Sequence, residues 1–350
     1  MRKVLDIYFR LIRAILPNKD DVTSFGLDIG TNTCKIVEIK KIQDNFQLLN
    51  YSIEPITDTK PEEAVKKCLA KLGSQPESLY AAVSGKGTLI RYINMPKMSE
   101  EDLENSFAIE AEKYFPFAQD QIYSDFYILD PNSKSKQMEV LAAAAKKELV
   151  NSRLKVMSDL NISANGVALN SVALTNAVKQ FNLFEEDKEK SIALLDMGDS
   201  ICSLTILHQS KPRFSRDIYI GGADFTKRIC NVLGVKEEEA IKIKCDSGKK
   251  RQEVVNACEL TVMSIIEELR LSFDYFSTEK SCDIGLLCIT GGASKLNGIE
   301  EILAKNLDVK VVSWNPLDKL FIADSISQEK IKNDASQLGV AIGLALYEFN

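Results

Sequence analysis

The feature that most constrains this chain is a short pattern that occurs twice. Residues 26–38 read GLDIGTNTCKIVE, and residues 194–204 read LLDMGDSICSL. In each, an apolar run ends in Asp-x-Gly and a second apolar run follows at once. That is a strand, a tight turn and a returning strand. One such turn is commonplace. Two at matching places in the two halves imply duplicated domains facing across a cleft rather than a solenoid of many short repeats.

The residue types in these turns suit an anion. Glycine lets the backbone approach phosphate oxygens with no Cβ in the way. Successive N–H groups can point inward as an anion-binding nest. In the first turn Asp28 and Gly30 are followed by the small donors Thr31, Asn32 and Thr33, with Lys35 able to reach back as a point charge. The second turn carries Asp196, Gly198 and Asp199. Carboxylates repel phosphate, so Asp28 and Asp196 are expected to hold Mg²⁺ through its waters, because magnesium keeps much of its hydration shell. A third element, Thr290-Gly291-Gly292-Ala293, follows a short apolar run. It suits close approach to a flat base or an α-phosphate; the plain alternative is a strand-to-helix turn.

Other classes recede on composition. The net charge of −6 argues against a nucleic-acid binder. Eight scattered cysteines without a C-x-x-C pair read as core residues in a reducing compartment, and the single histidine, His208, makes Ser-His or Cys-His catalysis an unpromising reading. No run is long and apolar enough to span a bilayer. With 350 residues and 45% apolar content the chain suits two domains of roughly 150 residues each.

Along the chain, residues 1–16 sort on a helical wheel into a cationic arc (Arg2, Lys3, Arg10 and Arg13 with Asp6) and a broad apolar face, ended by Pro17. Such a helix lies in a membrane interface or packs on protein. Strands are expected at 23–29, 34–40, 46–53, 79–84 and 89–94, with a helix over 61–72. Ser99 N-caps a helix with Asp102 three residues on. Strands at 123–129 and 138–145 and a helix over 146–160 complete a small α/β module. The second half repeats the meander at 192–196, 201–208 and 214–220. Helices are expected over 224–233, 235–243, 252–276, 298–307 and 336–347.

The ordered set DIGTNTCK, LLDMGDS and ITGGASKLNGI resembles the superfamily of actin, heat-shock chaperones and sugar kinases. Within it, residues 91–129, RYINMPKMSEEDLENSFAIEAEKYFPFAQDQIYSDFYIL, look like the inserted subdomain of the PilM family, cytoplasmic actin-like proteins of type IV pilus assembly. KPRFSRDIYIGGADFTKRI, LSFDYF and SWNPLDKL look like the same family. The resemblance covers about 22–350, and the block around EAEKYFPF is its most specific part. It implies an actin-like ATPase fold in the α/β class. Domain I would span 22–185 and 334–350, with an insert at about 91–162. Domain II would span 186–333, after an N-terminal helix and linker at 1–21.

The same resemblance implies a site for ATP and Mg²⁺. Asp28, Gly30, Thr31, Asn32, Thr33 and Lys35 would form one phosphate loop, and Asp196, Gly198 and Asp199 the other. Gly291, Gly292 and Ala293 would border the adenosine, with Glu268 and Ser272 facing the ribose or base. Related sequences carry a glutamate in the segment matching VALNSVAL; this chain has Asn170 there. Asn can bind the attacking water but cannot take its proton, which implies slow hydrolysis. The implied partner is the N-terminal tail of a PilN-like membrane protein, with PilO-like and motor ATPase neighbours at the inner face of the cytoplasmic membrane and oligomerisation open. Candidate docking strands are 89–94 and 123–129. The competing readings are an FtsA-like division protein, a type II secretion platform component, or a small-molecule kinase.

Overall fold

Asp28 lies opposite Lys35, and Asp196 opposite Ser203, in two antiparallel hairpins. Each Asp-x-Gly motif thus ends one strand and starts the turn into the next. The structure is a computed structural model that describes residues 22–56, 61–181 and 190–349. The amphipathic segment expected at 1–16 lies outside the described residues.

The first hairpin belongs to β1 (Thr23–Ile29) and β2 (Thr33–Ile42), continued by β3 (Asn45–Pro55), α1 (Pro61–Leu72) and β4 (Ser78–Val83). The chain then leaves to build β5 (Thr88–Pro96), α2 (Glu100–Tyr114), β6 (Ile122–Ile128) and β7 (Gln137–Lys146). It returns through α3 (Lys147–Asp159), β8 (Ser163–Leu169) and α4 (Asn170–Gln180). The second hairpin is β9 (Ser191–Met197) and β10 (Cys202–His208), followed by β11 (Lys211–Ile218), α5 (Gly222–Leu233), α6 (Glu237–Cys245) and α7 (Arg251–Lys280). Then come β12 (Ile284–Thr290), α8 (Ile299–Asn306), β13 (Lys310–Ser313), β14 (Leu320–Ile322), α9 (Gln328–Asp334) and α10 (Gly339–Ala345).

The duplication is explicit in the sheets. The first runs β14-β3-β2-β1-β4-β8 and the second β11-β10-β9-β12-β13. Leaving out β14, each is an antiparallel three-strand meander joined to two parallel strands. Two large apolar clusters follow: one joins the first sheet and the closing helix to Leu194, Leu207 and Cys288 of the second sheet, and the other belongs to the second domain. Gly26 explains one position of the first motif: a Cβ there would overlap the Ala341 carbonyl oxygen of α10, so the closing helix lies directly on β1.

The insert is a three-stranded sheet, β5-β7-β6, covered by α2. Ser99 caps α2 as its spacing implies, accepting from the Asp102 amide at 3.1 Å. Two borders differ from the sequence expectation. Val156 and Met157 of α3 pack with Val65 and Leu79 of the first domain, so that helix belongs to its core rather than to the insert. The chain also rejoins the first sheet at Leu320, where β14 pairs with β3, ahead of position 334. Neither border has a local signal, because both are set by which sheet the segment packs on.

The insert also reaches the second domain. Tyr92 and Ser215 share a hydrogen bond of 3.0 Å, and Glu139 pairs with Arg213 and, at 2.8 Å, with Lys280.

Candidate functional site

The two turns have the same internal geometry. Gly30 N–H donates to the Thr33 carbonyl at 3.0 Å, and Gly198 N–H to the Ile201 carbonyl at 2.9 Å. The tips meet across the cleft. Asn32 Nδ2 donates to Asp199 Oδ2 at 2.7 Å, and Thr31 and Ser200 hydroxyls lie 2.7 Å apart. Residues far apart in sequence thus face one another.

Behind the tips sits a charged cluster. Lys35 Nζ pairs with Asp28 Oδ2 at 2.8 Å, both largely buried. Burial works against the Lys35 ammonium, but Asp28 and the nearby Asp196 outweigh it and raise its pKa. Lys35 was expected to reach for phosphate; it instead pairs with Asp28. Among the described residues no lysine or arginine forms a salt bridge with Asp196. Burial, then repulsion from Asp28, pushes its carboxyl up to about 6, with Lys35 opposing. Burial likewise raises Asp199. No group of three or more His, Cys, Asp or Glu able to hold a metal occurs among the described residues. Asp28 and Asp196 are two carboxylates near enough for one to oppose the other's ionisation, a donor pair of the oxygen type that a hard divalent cation takes when water supplies its other ligands.

The third loop closes against the second. Gly291 adopts φ +90°, and a Cβ there would meet the Met197 carbonyl oxygen at 2.5 Å as well as Asp196 Oδ1. Its N–H donates to the Ser336 carbonyl at 2.8 Å. The α5 N-terminus also abuts the second turn: Gly222 N–H donates to the Gly198 carbonyl at 3.0 Å and Ala223 N–H to the Asp199 carbonyl at 2.8 Å. A Cβ on Gly222 would find Asp199 Oδ1 at 3.2 Å, the Ala293 Cβ at 3.3 Å and Lys244 Nζ at 3.4 Å. Gly291, Gly292 and Ala293 are therefore brought to the same cleft as Asp196 and Asp199.

Glu268 and Ser272 are not. Arg216 of β11 holds Glu268 Oε2 at 2.5 Å and reaches Ser272 Oγ at 3.4 Å. The α7 residue beside the end of the third loop is Val255, whose Cγ2 lies 3.1 Å from where a Gly298 Cβ would be. Glu268 lies thirteen positions beyond Val255 on this helix, about 20 Å at 1.5 Å per residue. The sequence motif fits either place; the long helix decides which end meets the loop.

Asn170 opens α4 and lines a cavity of about 330 Å³ with Ser84, Arg91, Ser203, Arg216 and Asp217. Asp217 was not singled out from sequence. It accepts from Ser203 Oγ at 2.7 Å and from the Gly85 N–H, bonds that hold its carboxyl down against the stronger upward push of burial. Two other residues were missed. Lys244, buried, donates to the Gly222 carbonyl at 3.0 Å and Thr226 Oγ1 at 2.9 Å. Arg153 of α3 donates from Nη2 to the Ile29 carbonyl at 2.9 Å, inside the first motif. A lysine or arginine on a helix carries no sequence signal for such a contact.

A second cavity, about 490 Å³, separates the insert from the first domain. Tyr80, Tyr123, Tyr127, Val150, Val172 and Tyr347 are among its lining. Its walls are β6 and β8, the outer strands of two sheets. Of the two candidate docking strands, 123–129 lines this groove. The 89–94 strand instead faces β11 of the second domain.

Comparison with known proteins accounts for this plan. The family described as type IV pilus assembly protein PilM matches residues 26–349. The chain belongs to the PilM family. A solved PilM-PilN type IV pilus biogenesis complex superposes with a TM-score of 0.83 at 23% identity, covering 94% of this chain and 99% of that one. EutJ, an ethanolamine utilization protein from Carboxydothermus hydrogenoformans, superposes with a TM-score of 0.54 at 14% identity over 95% of this chain and 91% of its own. The cell division protein FtsA of Enterococcus faecalis is 22% identical, spanning 83% of this chain and 78% of FtsA. The fold is the actin-like ATPase fold, as the sequence resemblance implied. No helix among the described residues is long and apolar enough to cross a membrane.

Proposed function

We propose that this PilM-family protein is an ATP-binding scaffold of a type IV pilus assembly platform, whose nucleotide state sets its grip on a membrane partner. The observation that carries the reading is the direct facing of the two Asp-x-Gly turns across one cleft, through Asn32 and Asp199. Phosphates would lie on the turn amides, with Mg²⁺ between them and the Asp28 and Asp196 carboxylates. Gly291–Ala293 would border the adenosine, joined by Lys244. Glu268 and Ser272 would act there only if the cleft rearranges, since they now bind Arg216.

Hydrolysis would be slow. Asn170 offers no proton acceptor, and Asp217 is engaged by Ser203 and Gly85. ATP then acts by shifting a population of domain arrangements. The partner would be the N-terminal tail of a PilN-like membrane protein, seated in the groove between β6 and β8. An extended peptide there can pair with an unpaired strand edge and set apolar side chains among the tyrosines. The platform would lie at the inner face of the cytoplasmic membrane.

Calorimetric titration with Mg-ATP tests the cleft. Binding that is lost in Asp28→Ala and Asp196→Ala is expected, with phosphate release no faster than about one per minute, well below ordinary turnover. Absence of binding, or ATP-dependent phosphorylation of a small molecule, would overturn the reading.

A further inference from the structure

His208 has no part in the cleft. It ends β10, at the opposite end of the second sheet from the Asp196 turn. There it meets two other side chains. His208 Nδ1 lies 3.3 Å from Cys282 Sγ and 3.2 Å from Ser191 Oγ, and these two lie 3.3 Å from each other. The three come from separate places: Ser191 opens β9, His208 closes β10, and Cys282 follows α7 after Ser281, which turns the chain with φ 50°. Ser191 is fully buried, whereas His208 and Cys282 are partly exposed.

No other thiol in the chain has this setting. Cys34, Cys68, Cys202, Cys258 and Cys288 are buried. Burial pushes the Cys258 thiol up to about 11 and the Cys288 thiol to about 12. Cys245 is exposed and Cys230 partly so, but the chain's one histidine stands at Cys282. A neutral imidazole nitrogen within hydrogen-bond reach of a thiol can take its proton, and the thiolate is the nucleophile.

We infer that Cys282 is a modification site: a thiol activated by His208 Nδ1, with the Ser191 hydroxyl in reach to donate to the sulfur, that undergoes exchange with small-molecule disulfides. In the step, the Cys282 proton passes to His208 and the thiolate attacks one sulfur of R–S–S–R. That S–S bond breaks as a new one forms between Cys282 and the attacked sulfur. The other R–S group leaves with the bonding pair and takes the proton from His208. Cys282 is oxidised and the small disulfide reduced by the same electron pair. The adduct would stand two residues from Lys280, which pairs with Glu139 of the insert at 2.8 Å. Modification would therefore bear on the contact between the insert and the second domain.

Glutathione disulfide is the probe, applied to the full chain at neutral pH, with each cysteine followed in time by peptide mass spectrometry. With His208 Nδ1 at 3.3 Å to take its proton, Cys282 should react about tenfold faster than exposed Cys245, which has no histidine beside it. His208→Gln should bring Cys282 down to the Cys245 rate and leave Cys245 unchanged. If Cys282 reacts no faster than Cys245, or if His208→Gln leaves its rate as it was, the inference fails. Should His208→Gln loosen the fold, the buried Cys34 would become reactive and reveal it, and the ratio of Cys282 to Cys245 in the unsubstituted protein then decides alone.

Discussion

Asn32 Nδ2 donates to Asp199 Oδ2 at 2.7 Å, joining the tips of two turns that stand at equivalent places in a duplicated fold. The bond is a latch across the cleft, added to the apolar contact that Leu194, Leu207 and Cys288 of the second sheet make with the first domain. Both groups are partly solvated, so the coupling is modest. A double-mutant cycle of Asn32→Ala and Asp199→Ala, read by urea unfolding, should give an interaction of about 0.5–1 kcal/mol.

Asp196 sets a pH dependence. Its carboxyl is pushed up to about 6 in the folded protein, against about 3.9 when unfolded. Between those values the folded state holds a proton that the unfolded state has lost. Its contribution to the stability of the ligand-free protein therefore falls as pH rises from about 4 through 6, then levels off. Asp196→Asn should remove that fall and be more stable at neutral pH by about 1–3 kcal/mol, measured by chemical unfolding across pH, while Mg-ATP binding is weakened.

Gly291→Ala should be costly. The residue sits at φ +90°, and its Cβ would press on Asp196 Oδ1 and the Met197 backbone. A loss of about 2–4 kcal/mol is expected in thermal unfolding. Gly234→Ala, at φ +65° but with nothing within 4 Å of its Cβ, should cost less, about 1 kcal/mol.

Arg153 links the groove to the cleft. Its guanidinium holds the Ile29 carbonyl, while Val150, one turn earlier on the same helix, lines the groove. Arg153→Ala should destabilise the protein by about 1–2 kcal/mol. It should also reduce the effect of bound nucleotide on affinity for a PilN tail peptide, measured by titrating each with and without the other.

Tyr123 and Tyr127 are exposed on the β6 wall. Replacing both with Ala should leave folding intact and weaken tail-peptide binding about tenfold or more, as loss of aromatic anchors does. Fluorescence anisotropy of a labelled peptide would show it.

Much of the fold was legible because its signals are local. Apolar runs ending in Asp-x-Gly marked β1 and β9, alternation marked β10, and Ser99 with Asp102 marked the start of α2. The segment 163–180 was not read as an element. Asn165-Gly166 looks like a turn dipeptide, yet it lies inside β8. Parallel pairing with β4 overrides it, and Gly166 leaves room for the Tyr80 ring, which a Cβ would approach at 3.2 Å. The three residues of β14 are likewise a strand only because β3 is beside them.

The sequence by itself determined the duplicated hairpins and the chemistry of their turns, since strand period, glycine and aspartate act within a few residues. The tertiary structure decided which groups meet. It set Asn32 against Asp199, turned Glu268 toward Arg216, placed Arg153 on Ile29 and brought His208 to Cys282. Those pairings depend on how sheets and helices stack, and stacking is fixed by burial summed over whole domains, which no short stretch of sequence encodes.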